Sequence, residues 1–416
     1  MAIEQFVVVG ASLSGLRAVE TARKSGFTGR ITLVGDEAHL PYDRPPLSKS
    51  FLEASSIHPE IPFFRNEKTL TEELGIELLL GNAAEHLDTR RRLVSVSGRE
   101  IPYDAMVIAT GTRARQIPGC SHLEGVHPLR TLDDALSVRA ALDTNTRVVI
   151  IGAGFIGSEV ASSARKRGLD VVVIETQPTP LVRAIGEAPG SFVSSLHQRN
   201  GTDLRCGTGV RKLHGESRVS AVELDDGTII ATDLVVVGIG AIPNTEWLDG
   251  SNISLDEGIL CDEYLWTGVP NVYAAGDVVK WLNPVFNRHQ RLEHWTSAAE
   301  QGAAATRNAL GFEPATPYQT VPYFWSDWYD SRIQFVGSTH ADEVRVVDGN
   351  PDIDSRWIAL YRKGDRLVGA LTVNAQTEIM KYRGKILQGA LWDDAVGFAA
   401  QRREGRETRQ VEPTAR

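Results

Sequence analysis

Three glycines and one glutamate in the middle of the chain have the spacing of a dinucleotide site. Gly152, Gly154 and Gly157 form a GxGxxG pattern directly after the apolar run VVII, and Glu175 ends the next apolar run. This spacing allows a tight turn, close approach of the backbone to a pyrophosphate, and close helix–strand packing. A carboxylate at the second strand end suits free ribose hydroxyls and repels a 2′-phosphate. The pattern therefore predicts NADH, and the alternative is a glycine-rich turn without a ligand.

A second pattern of this kind lies near the start of the chain. Gly10 and Gly15 are in place, while Ser12 occupies the middle glycine position. The serine side chain crowds the place where the backbone would approach a pyrophosphate. Asp36 ends the following apolar run at the ribose position, and Glu37 beside it is a less favoured candidate. The chain thus presents two candidate dinucleotide turns.

Several other chemistries are excluded by residue types and spacing. Cys120, Cys206 and Cys261 form no CxxC or CxxxxC pair, which excludes a disulfide scaffold and a redox dithiol. The ten histidines form no HxxxH or HExxH group, so no metal is predicted. A net charge of −9 argues against general binding of nucleic acid or anionic membranes and leaves a local basic docking patch open.

The elements that must position these residues are alternating strands and helices. Seven continuous apolar or β-branched runs predict buried parallel strands. They are FVVVGAS from Phe6, ITLVGDE from Ile31, AMVIATG from Ala105, VVIIGAG from Val148, DVVVIE from Asp170, DLVVVGIG from Asp233 and NVYAAGD from Asn271. The helical stretches LSGLRAVETARKSG and FIGSEVASSARKRG follow the first and fourth runs. This repeated order predicts an α/β fold with two Rossmann-like units.

Length and apolar segments bound the class of protein. A chain of 416 residues exceeds what one hydrophobic core usually serves, so two or three domains are expected. The start, MAIEQFVVVG, has no basic n-region and is interpreted as a strand rather than a secretory signal. The longest apolar stretches are too short to span a bilayer. A soluble, cytoplasmic enzyme is the expectation.

Six further segments carry a family resemblance. In chain order they are LPYDRPPLSKSF (Leu40–Phe51), ATG (Ala109–Gly111), GIGAIPN (Gly238–Asn244), NVYAAGD (Asn271–Asp277), EHWTSAAEQG (Glu293–Gly302) and PYFWSD (Pro322–Asp327). With the two glycine turns, they resemble the FAD-dependent ferredoxin reductases of the oxygenase-coupled type. Apoptosis-inducing factor and monodehydroascorbate reductase are similar at a greater distance. The resemblance covers nearly the whole chain and weakens after about residue 340.

The resemblance implies an architecture like that of glutathione reductase. Two nested Rossmann-like dinucleotide-binding domains are followed by a C-terminal α+β domain. The implied boundaries are 1–112 and 241–321 for the two parts of an FAD-binding domain, 113–240 for an NAD-binding domain, and 322–416 for the C-terminal domain. Disulfide reductases of this architecture carry cysteines where this chain reads RPPLSK. Electrons are therefore expected to leave directly from the flavin edge.

The resemblance also implies FAD contacts spread along the chain. The residues are Gly10, Ser12, Gly15, Asp36, Arg44, Lys49, Thr110, Gly111, Arg115, Asp277, Trp295 and Trp325. Asp277 resembles the carboxylate that holds the ribityl chain, and a helix N-cap is its alternative role. Arg44 and Arg115 suit phosphate, and the alternative for each is a solvated surface position. The alternative for the two tryptophans is packing in a core.

The implied NAD contacts lie around the second glycine turn. They are Gly152, Gly154, Phe155, Ile156, Gly157, Glu159, Glu175, Gln177, Arg183 and Gly240. Among these, Phe155 and Ile156 are expected to pack under the nicotinamide. Gln177 and Arg183 follow Glu175 on a loop that resembles the NADH clamp.

Lys49 and Glu159 form the predicted catalytic pair. In the resembling proteins, the corresponding lysine and glutamate pair beside the flavin atom that accepts hydride. A lysine there would stabilise the added electron density. The alternative is a salt bridge between domains that holds the two halves of the protein together.

The resemblance predicts electron transfer from NADH through FAD to a small iron–sulfur ferredoxin of the [2Fe–2S] type. An oxygenase would be reached only indirectly, through that ferredoxin. Flavin suits this task because it accepts two electrons together and releases them singly. Three other functions remain open: reduction of rubredoxin or monodehydroascorbate, an NADH-sensing interaction protein like apoptosis-inducing factor, and a scaffold with empty nucleotide sites.

Overall fold

The computed structural model describes residues 3–53, 59–120, 122–144 and 147–411. Its α-helices are α1 (Leu13–Lys24), α2 (Ser50–Glu53), α3 (Leu132–Thr144), α4 (Phe155–Lys166), α5 (Val182–Ile185), α6 (Glu187–Arg199), α7 (Trp295–Leu310), α8 (Gln376–Leu387) and α9 (Trp392–Val411). Its strands are β1 (Gln5–Val9), β2 (Arg30–Val34), β3 (Ile76–Leu79), β4 (Ala84–Asp88), β5 (Leu93–Val96), β6 (Arg99–Pro102), β7 (Ala105–Ile108), β8 (Thr112–Ala114), β9 (Val126–Pro128), β10 (Arg147–Ile151), β11 (Asp170–Glu175), β12 (Asp203–Cys206), β13 (Val210–Gly215), β14 (Val219–Leu224), β15 (Ile229–Ala231), β16 (Leu234–Val237), β17 (Ala241–Pro243), β18 (Ile259–Cys261), β19 (Val272–Ala274), β20 (Val279–Asn283), β21 (Arg288–Arg291), β22 (Tyr323–Trp328), β23 (Ser331–Gly337), β24 (Glu343–Asp348), β25 (Trp357–Lys363) and β26 (Arg366–Val373). Short helical turns occur at Pro45–Ser48, Thr69–Glu73 and Glu246–Leu248.

The chain divides into two compact units. The first unit comprises residues 1–44, 60–113 and 241–320, and the second comprises residues 45–59, 114–240 and 321–416. The second unit therefore holds both the stretch expected to bind NAD and the expected C-terminal domain. It also holds residues 45–59, which lie within the first part of the expected FAD-binding domain. The division into three domains remains a prediction.

The first unit is built on a parallel sheet with the order β19-β7-β1-β2-β3. Strand β1 is central because its side chains are apolar on both faces, and Phe6 to Val9 are all nearly inaccessible to solvent. Helices α1 and α7 pack together closely: the Ser14 hydroxyl donates to the Ala298 carbonyl at 2.7 Å. A Cβ at Gly302 would lie 2.3 Å from the Ser14 carbonyl oxygen, so this approach requires glycine.

The second unit contains a parallel sheet, β12-β11-β10-β16-β9, and an antiparallel sheet, β22-β23-β26-β25-β24. One face of the antiparallel sheet presents Phe324, Phe335 and Tyr361 to a core that includes Ile185 and Val193 of the nucleotide-binding stretch. Helix α8 packs on the same antiparallel sheet against β23 and β26.

The predicted fold class is confirmed, and so are all seven predicted parallel strands and both predicted helices. No helix in the described residues is long and apolar enough to cross a membrane.

A buried histidine joins three elements of the second unit. His197 of α6 is fully buried; its Nδ1 lies 2.8 Å from the Tyr329 hydroxyl, and its Nε2 lies 3.2 Å from the Ser158 hydroxyl. The Tyr329 hydroxyl also lies 2.8 Å from the Thr202 hydroxyl. Burial lowers the pKa of His197 to about 4, because a charged imidazolium would lose its hydration. The ring is therefore neutral at physiological pH and links α6 to α4 and to the β22–β23 turn.

This burial predicts a specific loss of stability in acid. The folded pKa lies below that of an unfolded histidine, so the unfolded chain binds the proton first. The contribution of His197 is fully present above about pH 6.5 and is lost as the pH falls towards 4. We expect the wild-type unfolding free energy to decrease over this range by about 3 kcal/mol more than that of His197→Gln. Urea titrations between pH 7 and pH 4 measure the difference, with His289→Gln, at an exposed position, as the control. Parallel curves for wild type and His197→Gln would contradict the prediction.

Candidate functional site

The second glycine turn has three glycines with three separate physical roles. Gly152 has φ +103°, and a Cβ there would lie 2.3 Å from the Gly238 carbonyl oxygen. A Cβ on Gly157 would lie 2.0 Å from the Gly152 carbonyl oxygen, so this glycine lets α4 pack against the turn. A Cβ on Gly154, the N-cap of α4, would meet no atom closer than 4.0 Å. The open side of the turn therefore lies at the helix N-terminus, where N–H groups favour a phosphate.

Glu175 is held beside this turn by backbone N–H groups. It ends β11, its Oε2 accepts from Ala153 N at 2.8 Å, and its Oε1 accepts from Gln177 N at 2.8 Å. The carboxylate is thus fixed next to the residue between the first two glycines. A fixed anion at this point fits a ribose with free hydroxyls and disfavours a 2′-phosphate. The residues around this turn fit NAD(H).

The remaining predicted NAD residues surround the same turn. Gly240 has φ +104°, and its carbonyl accepts from Arg115 N at 2.9 Å. Arg183 is exposed on α5, whose N-cap residue donates its backbone N–H to the Ala153 carbonyl at 3.2 Å. Ile156 is 39% exposed on the first turn of α4. Phe155 is half-buried and packs edge-to-face on Phe324 with centroids 4.7 Å apart, a contact that the sequence did not indicate.

The first glycine turn has the same geometry in the first unit. Gly10 has φ +119°, and its Cβ would lie 2.1 Å from the Ala109 carbonyl oxygen. A Cβ on Gly15 would lie 1.8 Å from the Gly10 carbonyl oxygen. Ser12 is the N-cap of α1, but its hydroxyl does not cap the helix and accepts instead from Arg44 Nε at 3.3 Å. The helix N-terminus, with a guanidinium beside it, fits the pyrophosphate of FAD.

Arg44 belongs to a compact polar cluster beside this turn. Its Nη2 lies 2.5 Å from Glu37 Oε1, and its Nη1 lies 3.0 Å from the Tyr42 hydroxyl. Asp36 is exposed, and its Oδ1 accepts from Glu37 N at 3.0 Å. The two acidic neighbours therefore differ: Glu37 is engaged with the arginine, whereas Asp36 faces solvent at the strand end. This arrangement supports Asp36 as the ribose contact and gives Glu37 a separate role in holding Arg44.

The other predicted FAD residues of the first unit are tied together by hydrogen bonds. The Thr110 hydroxyl donates to the Asn244 carbonyl at 2.8 Å, and Asn244 N donates to the Gly111 carbonyl at 3.0 Å. The ATG segment is therefore hydrogen-bonded to the end of the GIGAIPN segment. Asp277 is half-buried beyond the end of β19. Trp295 begins α7, and its Nε1 donates to Asp43 Oδ1 at 2.8 Å.

Lys49 and Glu159 meet in the second unit. Lys49 Nζ lies 2.7 Å from Glu159 Oε1, and the glutamate is only 3% exposed. Two hydroxyls also donate to this carboxylate, Ser48 to Oε2 and Ser326 to Oε1, each at 2.5 Å. Both residues of the pair belong to one compact unit, so the pair does not bridge the two units. The sequence reading missed Ser48 and Ser326, although each lies within a motif segment, next to Lys49 and Trp325 respectively.

Trp325 lies at the edge of the antiparallel sheet in the second unit. It is half-buried and stacks on Tyr323 with centroids 5.9 Å apart and planes inclined by 25°. The Arg332 guanidinium lies 5.7 Å from the Trp325 ring centroid. The tryptophan is therefore not fully enclosed in the core.

The predicted FAD residues are thus divided between the two units. The first unit contains Gly10, Ser12, Gly15, Asp36, Arg44, Thr110, Gly111, Asp277 and Trp295, whereas the second contains Lys49, Arg115 and Trp325. All the predicted NAD residues lie in the second unit. Within each unit the glycine turn, its helix N-terminus and the neighbouring carboxylate are brought together.

Two of the three cysteines have the properties of unreactive thiols. All three are free. Burial, together with the negative charge of Glu175, raises the pKa of Cys206 to about 11. Burial, together with the negative charge of Asp262, holds the pKa of Cys261 well above its usual range. A thiol is a poor nucleophile while it stays protonated, so neither residue suits a thiol–disulfide step.

Fold and site together define a class of protein: two dinucleotide-binding turns in one chain, followed by an α+β domain. The family described as pyridine nucleotide-disulphide oxidoreductase matches residues 4–302, and the family described as reductase C-terminal matches residues 323–401. The chain belongs to the pyridine nucleotide-disulphide oxidoreductase family.

Relatives extend over almost the whole chain. Rhodocoxin reductase of Rhodococcus erythropolis is 36% identical, covering 92% of this chain and 88% of the relative. The ferredoxin–NAD(+) reductase component of the anthranilate 1,2-dioxygenase system of Burkholderia cepacia is 35% identical, covering 94% and 96%. The reductase in the crystal structure of the covalent putidaredoxin reductase–putidaredoxin complex is 32% identical, with a TM-score of 0.88 and 94% of both chains covered. The predicted resemblance is confirmed, and so are the predicted cofactors, FAD and NAD(H).

The glycine geometry predicts different effects for two similar substitutions. Gly157→Ala should destabilise the second unit, because the new Cβ would clash with the Gly152 carbonyl oxygen. Gly154→Ala should fold normally but weaken NADH binding at least about tenfold, because the methyl group would occupy the open side of the turn. Thermal melting and NADH titration of both variants measure this contrast. Normal NADH binding by well-folded Gly154→Ala would contradict the assigned role.

Proposed function

We propose that the protein is an FAD-containing ferredoxin–NAD(+) reductase that draws electrons from NADH and passes them singly to a small [2Fe–2S] ferredoxin serving an oxygenase. The observation that carries this proposal is the extent of the similarity. The named relatives are ferredoxin reductases or reductase components of oxygenase systems, and the match includes the C-terminal domain. Since NADH is a cofactor of the cell interior, a cytoplasmic location is part of the proposal.

The residues of the second unit would bind NADH. Glu175 would accept hydrogen bonds from the ribose, and the open turn at Gly154 with the N-terminus of α4 would take the pyrophosphate. Phe155 and Ile156, on the first turn of that helix, would pack under the nicotinamide. Gln177, on the loop after β11, and Arg183, on α5 and not on the loop expected from the sequence, would cover the bound nucleotide.

The residues of the first unit would hold most of the FAD. The turn from Gly10 to Gly15, with Arg44 beside Ser12, would take the pyrophosphate, and Asp36 would take the ribose. Thr110, Gly111, Asp277 and Trp295 would contribute further contacts. For Arg115, Lys49 and Trp325, contact with FAD remains a prediction from the family resemblance. Flavin, when bound, accepts hydride from NADH and releases electrons one at a time.

Thiols have no part in this proposal. The raised pKa values of Cys206 and Cys261 keep both as thiols at neutral pH. No cysteine occupies the RPPLSK segment. Electrons would therefore reach the acceptor from the cofactor without a dithiol relay.

The electron acceptor is tested by comparing substrates at matched concentrations. Purified holoprotein should reduce a [2Fe–2S] ferredoxin with NADH, and it should do so at a higher kcat/KM than rubredoxin or monodehydroascorbate. The kcat/KM for NADH should exceed that for NADPH by roughly ten- to a hundredfold, because this is the effect of one charged-group interaction at Glu175. Faster turnover with rubredoxin or monodehydroascorbate would overturn the assigned acceptor. Equal efficiency with NADPH would overturn the role of Glu175.

Lys49 is predicted to affect reduction of the cofactor more than folding. In Lys49→Met, the rate at which saturating NADH reduces the bound cofactor should fall by up to about 10²–10³-fold. This is the usual effect of removing one well-placed electrostatic donor. It should also lower the cofactor midpoint potential, because a nearby positive charge favours the reduced state. Stopped-flow kinetics, potentiometry and thermal melting are compared with Lys280→Met, which removes the ion pair to Asp256 in the first unit. A lower melting temperature with unchanged rate and potential would show that the pair is only structural.

A further inference from the structure

The segment that carries Lys49 belongs to a different unit from the chain on either side of it. Residues up to Arg44 and from Glu60 onward belong to the first unit, while Pro45–Pro59 belongs to the second. The described part of this segment consists of the helical turn Pro45–Ser48 and the short helix α2. A four-residue helix has little intrinsic stability. Its attachment to the second unit must therefore come from tertiary contacts.

Three cationic side chains from α3 and the end of α4 hold the C-terminal end of α2. Arg139 Nη1 donates to the Phe51 carbonyl at 2.5 Å, and Arg167 Nε donates to the Leu52 carbonyl at 2.6 Å. Lys166 Nζ lies 3.0 Å from Glu53 Oε1. The last carbonyls of a helix have no partner within the helix, and its C-terminus favours positive charge. We call Arg139, Lys166 and Arg167 the α2 clamp.

The clamp is itself fixed in place. Arg139 is only 5% exposed, and a guanidinium this deeply buried is costly to leave without acceptors. Arg167 also forms an ion pair with Asp143 of α3. The apolar side chains of Phe51 and Leu52 are buried beside the carbonyls that the arginines bind. The clamp therefore combines charge-assisted hydrogen bonds with apolar burial.

A second attachment lies on the other side of Lys49. The Ser163 hydroxyl of α4 donates to the Ser48 carbonyl at 2.9 Å and lies 3.4 Å from the Lys49 carbonyl. The backbone of Lys49 is thus held from both directions by α3 and α4. Helix α4 also carries Glu159, which receives the Lys49 ammonium.

We propose that Arg139 and Arg167 are positioning residues that act through Lys49. By holding Phe51 and Leu52 on α3 and α4, they keep Lys49 Nζ on Glu159 and prevent that buried carboxylate from losing its cation. Lys49 is consequently attached to the NAD-binding stretch of the second unit. The chain on either side of its segment belongs to the first unit. The effect of these residues on the rate of cofactor reduction rests on the proposed function, whereas the attachment of the segment to the second unit does not.

The attachment is tested without reference to activity. In Arg167→Gln, hydrogen exchange of the amides of residues 48–53 should be about tenfold faster, the effect of losing one hydrogen bond to a charged group. Acetylation of Lys49, quantified on its own peptide by mass spectrometry, should also accelerate. The matched control is Arg165→Gln on the same helix. Arg165 bonds the Asn200 and Leu169 carbonyls instead, so its loss should leave both measurements at Lys49 unchanged.

The route through Lys49 is tested by combining substitutions. Arg167→Gln should slow reduction of the bound cofactor by NADH and shift its midpoint potential in the same direction as Lys49→Met. In a Lys49→Met background, Arg167→Gln should have no further effect on either quantity, because residues acting through one group are not additive. Arg139→Lys keeps the positive charge and can still donate a hydrogen bond to the Phe51 carbonyl. It should therefore restore most of the reduction rate and midpoint potential that Arg139→Gln loses. If Arg139→Gln does not fold, Arg167→Gln and Arg139→Lys decide the question.

Three results would overturn the inference. They are unchanged exchange and acetylation at Lys49 in Arg167→Gln, equal changes in Arg165→Gln, and fully additive effects of Arg167→Gln and Lys49→Met. Failure of the proposed function has a different signature. In that case wild-type holoprotein would not transfer electrons to ferredoxin, while the exchange and acetylation differences would persist.

Discussion

A buried carboxylate constrains much of the second unit. Glu159 is 3% exposed, and an ionised carboxylate removed from water requires charged and hydrogen-bonded partners. Its partners come from separate parts of the chain: Lys49 and Ser48 from the segment before α2, and Ser326 from β22. Removing one partner of a buried ion pair is strongly destabilising. The requirement to satisfy Glu159 therefore draws a piece of the N-terminal stretch and the C-terminal sheet to the NAD-type helix α4.

The polar groups around Glu159 continue into a wider buried network. Ser326 also accepts from Trp328 Nε1 at 2.9 Å, and Trp328 packs against the ring of His197. The imidazole of His197 in turn contacts Ser158, the residue before Glu159. A network that is fully satisfied in this way rigidifies its surroundings, because each member loses its partner if another moves. The start of α4, where NADH would bind, is thereby coupled within the second unit to the hairpin that carries Trp325.

The two dinucleotide turns share one backbone conformation but differ in the side chain at their middle position. In both, the first glycine has a positive φ and approaches a carbonyl of the neighbouring strand end, and the third approaches the first. The middle position differs, since Gly154 leaves the helix N-terminus open and Ser12 places a hydroxyl there, where it meets Arg44. A small polar residue is tolerated because its hydroxyl turns towards a guanidinium. Whatever binds at the first turn would therefore meet a serine and an arginine in addition to backbone N–H groups.

The sequence by itself determined seven of the parallel strands, two helices and the two turns. Glycine spacing, apolar runs and strand-end carboxylates are local patterns, and these strands, α1, α4 and the position of Glu175 followed from them correctly, whereas β3, β9 and β12 of the same two sheets were not predicted. It did not determine that Pro45–Pro59 belongs with the NAD-type unit, that Phe155 packs on Phe324, or that two serines complete the surroundings of Glu159. Those features depend on residues more than a hundred positions apart, such as Ser48 and Glu159 or Glu159 and Ser326. Only the tertiary structure decided them, because a buried charge selects its partners by distance in space and leaves no periodic pattern in the chain.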